Sequence, residues 1–160
     1  MTTASQPIDL LNTIGWREWI SLPDLGMAGI KAKIDTGARS STLHAFDIEV
    51  FKLNDSNFVR FKVCPYQFND TDIVTAEAEL LDIRNIRNSG GQSQSRPVIK
   101  TSVMLGEQLW PIELTLTNRD VMGFRMLLGR QAVRRRFLVD SGRSYLRSSR
   151  RTRKLNKSKT

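Results

Sequence analysis

Residues 30–38 read Ile-Lys-Ala-Lys-Ile-Asp-Thr-Gly-Ala. Apolar residues alternate with lysines as far as Ile34, which is the pattern of a β-strand with one buried face. Asp35 then ends the strand, and a strand end holds a carboxylate rigidly at a surface cleft. The Thr36 hydroxyl can hydrogen-bond to a partner loop, and Gly37 lets backbone amides approach the carboxylate closely. We therefore take Asp35 as the candidate catalytic carboxylate.

The same alternation recurs along the chain. Further segments with period-2 patterning are Phe46–Val50, Val59–Val63, Ala76–Leu80 and Ile112–Leu116. Turn-forming clusters rich in Asn, Asp, Ser and Gly separate them, and many short strands at this spacing predict an all-β barrel or sandwich. One short helix is predicted at about Arg130–Arg136, after Gly129.

Composition limits the class of protein. The chain has 160 residues, of which 39% are hydrophobic and 26% charged, as expected for one globular domain. A single cysteine excludes an internal disulfide and favours a reducing compartment, so we expect a cytoplasmic protein. No stretch approaches the roughly 18 consecutive apolar residues of a membrane helix, so we expect no membrane partner. Eight of the nine net positive charges lie in residues 143–160, which leaves +1 for residues 1–142. We expect residues 147–160 to form a disordered basic tail that could contact RNA or an acidic protein.

A second motif supports the Asp35 interpretation. Residues 126–130 read Met-Leu-Leu-Gly-Arg, an apolar-apolar-Gly run before the predicted helix. With the Asp-Thr-Gly loop and the runs at 15–19, 22–25, 96–99, 113–120 and 137–140, it resembles the retropepsins. Within them, the chain is similar to a bacterial family long labelled "ATP-dependent zinc protease", whose members often accompany ATP-grasp glutamate ligases that modify a ribosomal protein. The resemblance spans about residues 14–146.

The resemblance implies a closed acid-protease β-barrel with one short helix near the C-terminus. We expect a loose N-terminal arm at residues 1–14, the barrel at 15–146 and the basic tail at 147–160. In that fold the apolar-apolar-Gly run packs against the Asp-Thr-Gly loop. The implied supporting residues are Ala38, Ser40, Leu127, Leu128 and Gly129.

The family label does not fit the residues. A catalytic zinc needs about three ligands drawn from His, Cys and carboxylates, yet the chain has one His, His44, and one Cys. The phosphate-binding Gly-x-x-x-x-Gly-Lys-Ser/Thr pattern is absent from the sequence. We expect no metal and no cofactor.

Aspartic proteases need two carboxyl groups that share a proton, since two like charges about 3 Å apart cannot both ionise. With one Asp-Thr-Gly motif, the second carboxyl is expected from Asp35 of a second chain across a twofold axis. A rival lies within the chain, in Asp140-Ser141-Gly142. That run is also a common β-turn, and we favour the turn.

Residues 85–97 occupy the place of the retropepsin flap, with Gly90 and Gly91 at a predicted hairpin tip. Arg39 stands where retroviral enzymes commonly carry an acid, and Arg96 lies beside the flap. A cation near the dyad would lower the carboxyl pKa values and favour acidic substrates. These four residues are the candidate substrate-binding set, and solvent-facing arginines in a plain surface loop remain the alternative.

Two functions follow from the sequence. The first is a dimeric aspartic peptidase acting on peptides or proteins, with acidic or glutamylated peptides as the expected substrates. The second is a non-catalytic binding module of the same fold that docks a glutamate ligase, a ribosomal partner or RNA. The Asp35 loop favours the peptidase, and the unusual polar flap favours the module.

Overall fold

The computed structural model describes residues 12–66, 71–87, 90–118 and 123–148. In this part of the chain there is one short helix, α1 (Arg130–Val133), and the rest of the regular structure is almost entirely strand. The strands are β1 (Asn12–Gly15), β2 (Arg17–Leu22), β3 (Met27–Asp35), β4 (Ser41–His44), β5 (Phe46–Leu53), β6 (Ser56–Val63), β7 (Val74–Arg87), β8 (Ser93–Leu105), β9 (Gln108–Thr117), β10 (Met126–Gly129) and β11 (Phe137–Asp140).

Six strands close into a barrel. The large sheet has the order β2-β3-β10-β4-β9-β8-β7-β6-β5, and β2 also pairs with β8 where Ser21 lies opposite Met104. This pairing joins β2, β3, β10, β4, β9 and β8 into a ring, which leaves those strands without open edges over the paired stretch. The predicted all-β closed barrel is confirmed.

Alternation places the side chains of β3 as the sequence predicts. Ile30, Ala32 and Ile34 are buried in the core, and the intervening Lys31 and Lys33 are half-buried on the outer face. The β5 segment differs, since Val50 is 46% exposed. The reason is position: β5 is the edge strand of the sheet and lies outside the barrel ring, so its apolar face is incompletely covered.

The helix is shorter than predicted. It ends after Val133, because Arg134 leaves helical geometry (ψ 138°) and Arg135 has a positive φ of 65°. Burial of Ala132 and Val133 holds this single turn against the barrel. No helix in the described ranges is long and apolar enough to cross a membrane.

The ends of the domain are more ordered than the predicted boundaries imply. β1 pairs in parallel with β11, so residues 12–14, assigned to the N-terminal arm, form a strand. Residues 1–11 lie outside the described part. At the other end Arg147 and Ser148, assigned to the tail, are hydrogen-bonded to the body of the protein. The remaining tail residues, 149–160, also lie outside it.

Glu18 organises this junction. Its side chain is fully buried, and its carboxylate accepts five hydrogen bonds. The donors are the backbone N–H groups of Gly15 (2.7 Å), Leu146 (2.7 Å), Arg147 (3.0 Å) and Ser148 (2.9 Å) and the hydroxyl of Ser148 (2.7 Å). A buried carboxylate without these donors would be very costly, so β2 and residues 146–148 are held together as one unit.

Candidate active site

Asp35 is the last residue of β3, and its carboxylate shapes the loop that follows. Oδ1 accepts hydrogen bonds from the backbone N–H groups of Gly37 (3.0 Å) and Ala38 (3.2 Å). No residue in the described ranges donates to Oδ2. Asp35 is partly exposed, and Thr36 and Gly37 are exposed. The loop therefore fixes one carboxylate oxygen and leaves the other available to a water or a partner group.

The apolar-apolar-Gly run packs against this loop as the resemblance implies. β10 lies between β3 and β4, in parallel with β3, and Gly129 is directly opposite Asp35. Leu127 and Leu128 are buried. Gly129 N–H donates to the Ser41 hydroxyl (3.0 Å).

Gly129 is required by close packing. A Cβ atom at this position would lie 2.5 Å from the carbonyl carbon and oxygen of Ser40, and 3.0 Å from the carbonyl oxygen of Ala38. Those atoms are backbone, so they cannot move aside without displacing the loop. Glycine at 129 thus allows the loop to sit directly on β10.

The start of α1 holds the loop from the other side. Backbone N–H groups of Arg130 and Gln131 donate to the carbonyls of Ala38 (2.7 Å) and Arg39 (3.1 Å). The Arg130 guanidinium also donates to the Thr36 carbonyl (3.0 Å). Three successive anchor points leave the loop little freedom, which is what a catalytic carboxylate requires.

Arg39 lies at a cavity of about 650 Å³ beside the loop. Asp35 is not among the residues that line it, so the cavity adjoins the carboxylate without containing it. Its lining residues are Arg39, Ser40, Ser41, Arg84, Trp110, Pro111, Ile112, Glu113, Thr115, Gln131, Ala132 and Arg136. Arg84 is engaged there by the carboxylates of Glu113 (2.7 Å) and Asp82 (3.0 Å), and these hydrogen bonds raise the pKa of Arg84.

The other predicted substrate-binding residues lie on the β7–β8 hairpin. Arg96 is opposite Arg84 in the ladder and donates from Nε to Gln94 (3.2 Å). Gly90 and Gly91 are at the tip, where Gly91 has a positive φ of 83°. In the described residues no contact joins them to Asp35. The structure thus brings Ala38, Ser40 and the β10 residues to Asp35, and it leaves the hairpin residues apart.

A cationic face leads up to Asp35, and the sequence reasoning did not identify it. Lys31 and Lys33 precede Asp35 at intervals of two residues, so all three share the outer face of β3. On β2, Arg17 lies opposite Lys33 and Trp19 lies opposite Lys31. The lysine spacing was visible in the sequence, but the cross-strand partner Arg17 required the register.

Asp140 belongs to a different sheet from Asp35. It is the last residue of β11, in the two-stranded β1–β11 sheet. Its Oδ1 accepts the Gly142 N–H (2.9 Å), and its carbonyl accepts the Arg143 N–H (3.3 Å), which is turn geometry.

The described residues contain no group of three or more His, Cys, Asp or Glu side chains that could hold a metal ion. The His44 ring instead lies between two protein groups. Its Nε2 is 3.0 Å from the Asn118 carbonyl, and its Nδ1 is 3.4 Å from Nη1 of Arg125. Both ring nitrogens of His44 are therefore engaged by protein groups.

Comparison with known proteins places the chain in a family. The RimB-like family, described as the retropepsin-like aspartic endopeptidase RimB, matches residues 13–150. A probable alpha-L-glutamate ligase of Parasynechococcus marenigrum is 47% identical over 132 residues, which are 82% of this chain and 28% of that protein. One from Desulfotalea psychrophila is 45% identical over 127 residues, 79% of this chain and 27% of that protein. The chain thus spans less than a third of these curated relatives.

A solved structure agrees with the sequence comparison. The crystal structure of a Legionella pneumophila protein of unknown function matches with a TM-score of 0.69 and 28% sequence identity, covering 86% of this chain and 98% of that one. The barrel, the Asp35 loop packed on β10 and the family match lead to one assignment. The chain belongs to the RimB-like family of retropepsin-like aspartic endopeptidases.

Proposed function

We propose that this chain is an aspartic peptidase whose catalytic dyad is formed by Asp35 of two copies. The observation that carries the proposal is the held carboxylate at the end of β3, with one oxygen fixed by amides and the other open. Residues 36–44 and 126–133, which surround it, contain no Asp or Glu. A second chain related by a twofold axis is the source of the partner carboxyl.

In this mechanism the two Asp35 carboxyls share one proton. The ionised carboxylate takes a proton from a water molecule while the water oxygen attacks the scissile carbonyl carbon. The protonated carboxyl donates its proton to the carbonyl oxygen. When the tetrahedral intermediate collapses and the C–N bond breaks, the dyad donates its proton to the leaving nitrogen, and one hydroxyl of the intermediate returns a proton to the other Asp35 carboxylate as the carbonyl re-forms. In this proposal Thr36, which is exposed beside Asp35, hydrogen-bonds across the twofold axis.

Acidic or glutamylated peptides are the proposed substrates. Arg39 lies at the cavity beside the loop, and Lys31, Lys33 and Arg17 lie on the outer face of β2 and β3, so cationic side chains flank the Asp35 loop. Negative side chains would be attracted to such a surface. The curated relatives are named probable alpha-L-glutamate ligases, which supports a substrate containing glutamate.

Peptide cleavage by the purified protein tests the proposal. An oligoglutamate peptide and its glutamine counterpart are incubated with wild type, Asp35→Asn and Asp140→Asn, and products are identified by mass spectrometry. We expect Asp35→Asn to abolish cleavage, Asp140→Asn to retain it, and the glutamine peptide to react more slowly. Activity lost only in Asp140→Asn would reject the Asp35 assignment.

Mixing separates a shared dyad from an independent site. If wild type and Asp35→Asn exchange randomly at equal concentration, about a quarter of dimers contain two wild-type chains. Activity per total protein should then fall to about a quarter of that of wild type alone. A fall to one half would mean that each chain acts independently.

A binding module is the second candidate function. The relatives named probable alpha-L-glutamate ligase contain this domain within a chain more than three times as long, so the domain and a ligase are joined covalently there. A separate chain could occupy the same position by binding. Sedimentation of this protein with such a ligase should show a complex that survives Asp35→Asn, and the absence of a complex at micromolar concentration would reject this role.

A further inference from the structure

Arg17 and Lys31 form a pair of cations enclosed by aromatic rings. The Arg17 guanidinium lies 4.6 Å from the ring centre of Trp16 and 5.0 Å from that of Tyr145. The Lys31 ammonium lies 5.6 Å from the ring centre of Trp19 and 5.5 Å from that of Phe124. We call this arrangement, comprising Arg17, Lys31 and their four rings, the caged pair.

The caged pair has no acidic partner among the described residues. Arg17 donates from Nε to the neutral Ser144 hydroxyl (3.1 Å), and ring faces supply the other contacts. The nearby Glu18 carboxylate is buried and occupied by its five donors. The charge of Arg17 acts on Lys31 across the β2–β3 ladder, and no carboxylate in the described part of the chain is bonded to either cation.

Burial makes this pair receptive to an anion. Partial burial and the charge of Arg17 both lower the pKa of Lys31, so the ammonium has lost part of its hydration and is repelled by Arg17. A carboxylate placed between the two cations would remove that repulsion. It would also gain more from each cation than from a fully hydrated lysine, because the local dielectric constant is lower.

The position of the pair relative to Asp35 is fixed by β3. Lys31 is four residues before Asp35 on the same face, which corresponds to about 13 Å along the strand. An extended peptide has the same rise as a strand, about 3.3 Å per residue. A peptide lying along this face with its scissile bond at Asp35 would therefore bring a residue about four positions away to Lys31.

We propose that the caged pair is a subsite that binds a substrate carboxylate about four residues from the scissile bond. The inference rests on the proposed peptidase function for the reference point at Asp35. In a twofold dimer the subsite occurs once on each side of the dyad, so the two copies bind acidic residues on both sides of the scissile bond. It would give the enzyme a preference for acidic stretches over isolated acidic residues.

Binding without turnover tests the site directly. The Asp35→Asn protein is titrated with an oligoglutamate peptide of about eight residues, and the emission of Trp16 and Trp19 reports binding because both rings contact the pair. Lys31→Gln should raise the Kd roughly tenfold, the size of one lost charge contact. Lys31→Arg should restore binding to within about twofold of the parent value, since it keeps the charge.

Lys52→Gln is the matched control. Lys52 is exposed on the β5–β6 hairpin, away from the pair, and its substitution removes the same charge from the protein. We expect its Kd to stay within about twofold of the parent value. Equal weakening by Lys52→Gln and Lys31→Gln would mean that overall charge attracts the peptide, and the subsite would be rejected.

The four-residue spacing is tested with cleavable peptides. Each glutamate of the substrate is replaced in turn by glutamine, and kcat/KM is measured for wild type and Lys31→Gln. The two enzymes should differ least when the glutamate about four residues from the cleaved bond is the one replaced. A difference independent of position would reject the assigned spacing.

The outcomes separate this inference from the peptidase proposal. Tight, Lys31-dependent binding by a protein that cleaves nothing would reject the peptidase and retain the anion site. Cleavage that requires Asp35 but is indifferent to Lys31→Gln would retain the peptidase and reject the subsite. No binding of the peptide by any form would reject the subsite.

Discussion

Glu18→Gln is expected to destabilise the domain strongly although it changes one atom. The carboxylate accepts hydrogen bonds on both oxygens, whereas a glutamine amide has one oxygen and one NH2 group. With the NH2 group in place of Oε2, the N–H groups of Gly15 and Leu146 lose their acceptor and face a donor. The opposite orientation is worse, because Oε1 serves three donors.

The magnitude follows from the count of lost acceptors. Each buried N–H left unsatisfied costs about 1–3 kcal/mol, so two of them cost about 4 kcal/mol. The variant no longer buries a charge, which offsets part of that cost. We therefore expect the free energy of unfolding to fall by about 3 kcal/mol. That is a large fraction of the stability of a domain of this size, which is typically about 5–15 kcal/mol.

Urea unfolding at pH 7, followed by tryptophan emission, measures the effect. Glu107→Gln is the control, because Glu107 is exposed in the turn between β8 and β9 and the substitution removes the same charge. If Glu18→Gln lies within about 0.5 kcal/mol of Glu107→Gln, the hydrogen bonds to Glu18 do not hold the C-terminal segment, and the reasoning fails.

Three further predictions concern the loop and the C-terminal segment. Gly129→Ala should lower stability by about 1–3 kcal/mol and abolish peptidase activity, since its Cβ would overlap the Ser40 carbonyl; activity near the wild-type level would contradict the tight packing. Arg130→Gln should reduce kcat about tenfold with little change in the unfolding midpoint, because it frees the Thr36 carbonyl; an unchanged kcat would show that the contact is dispensable. Burial raises the pKa of Tyr145 above its ordinary 10.0, so above pH 10 the unfolded chain releases this proton first and stability falls. Tyr145→Phe should lessen that fall in urea titrations between pH 9 and 11, and identical pH profiles would refute it.

The local parts of the site could be predicted from the sequence. Apolar and polar residues alternate along β3, which determines the face that is buried. Asp35 comes where that alternation stops. Gly129 and the Asp35 loop are far apart in the sequence. Their contact could be predicted only because the chain resembles a family that has the same motifs in the same order. Without that resemblance, no pattern in residues 126–130 would have pointed to Asp35.

Features that depend on register could not be predicted. Arg17 lies opposite Lys33 and against the Tyr145 ring only because β2 pairs with β3 and the chain returns after β11. Glu18 is fully buried, which the residue type does not predict, because glutamate is rarely buried in proteins. Four of its five hydrogen bonds come from residues 128 to 130 positions away in the chain, a separation at which spacing carries no information.

The two ends of the described domain lie side by side. β1 and β11 run parallel, and the Arg147 guanidinium donates to the Thr13 carbonyl (3.2 Å). A short glycine-serine linker from residue 148 to residue 12 could therefore close the chain into a ring with little strain. New termini opened at the exposed Asn54–Asp55 turn would give a circular permutant in which the barrel and the Asp35 loop keep their contacts. We therefore expect the fold to depend on which strands are neighbours and not on where the chain starts.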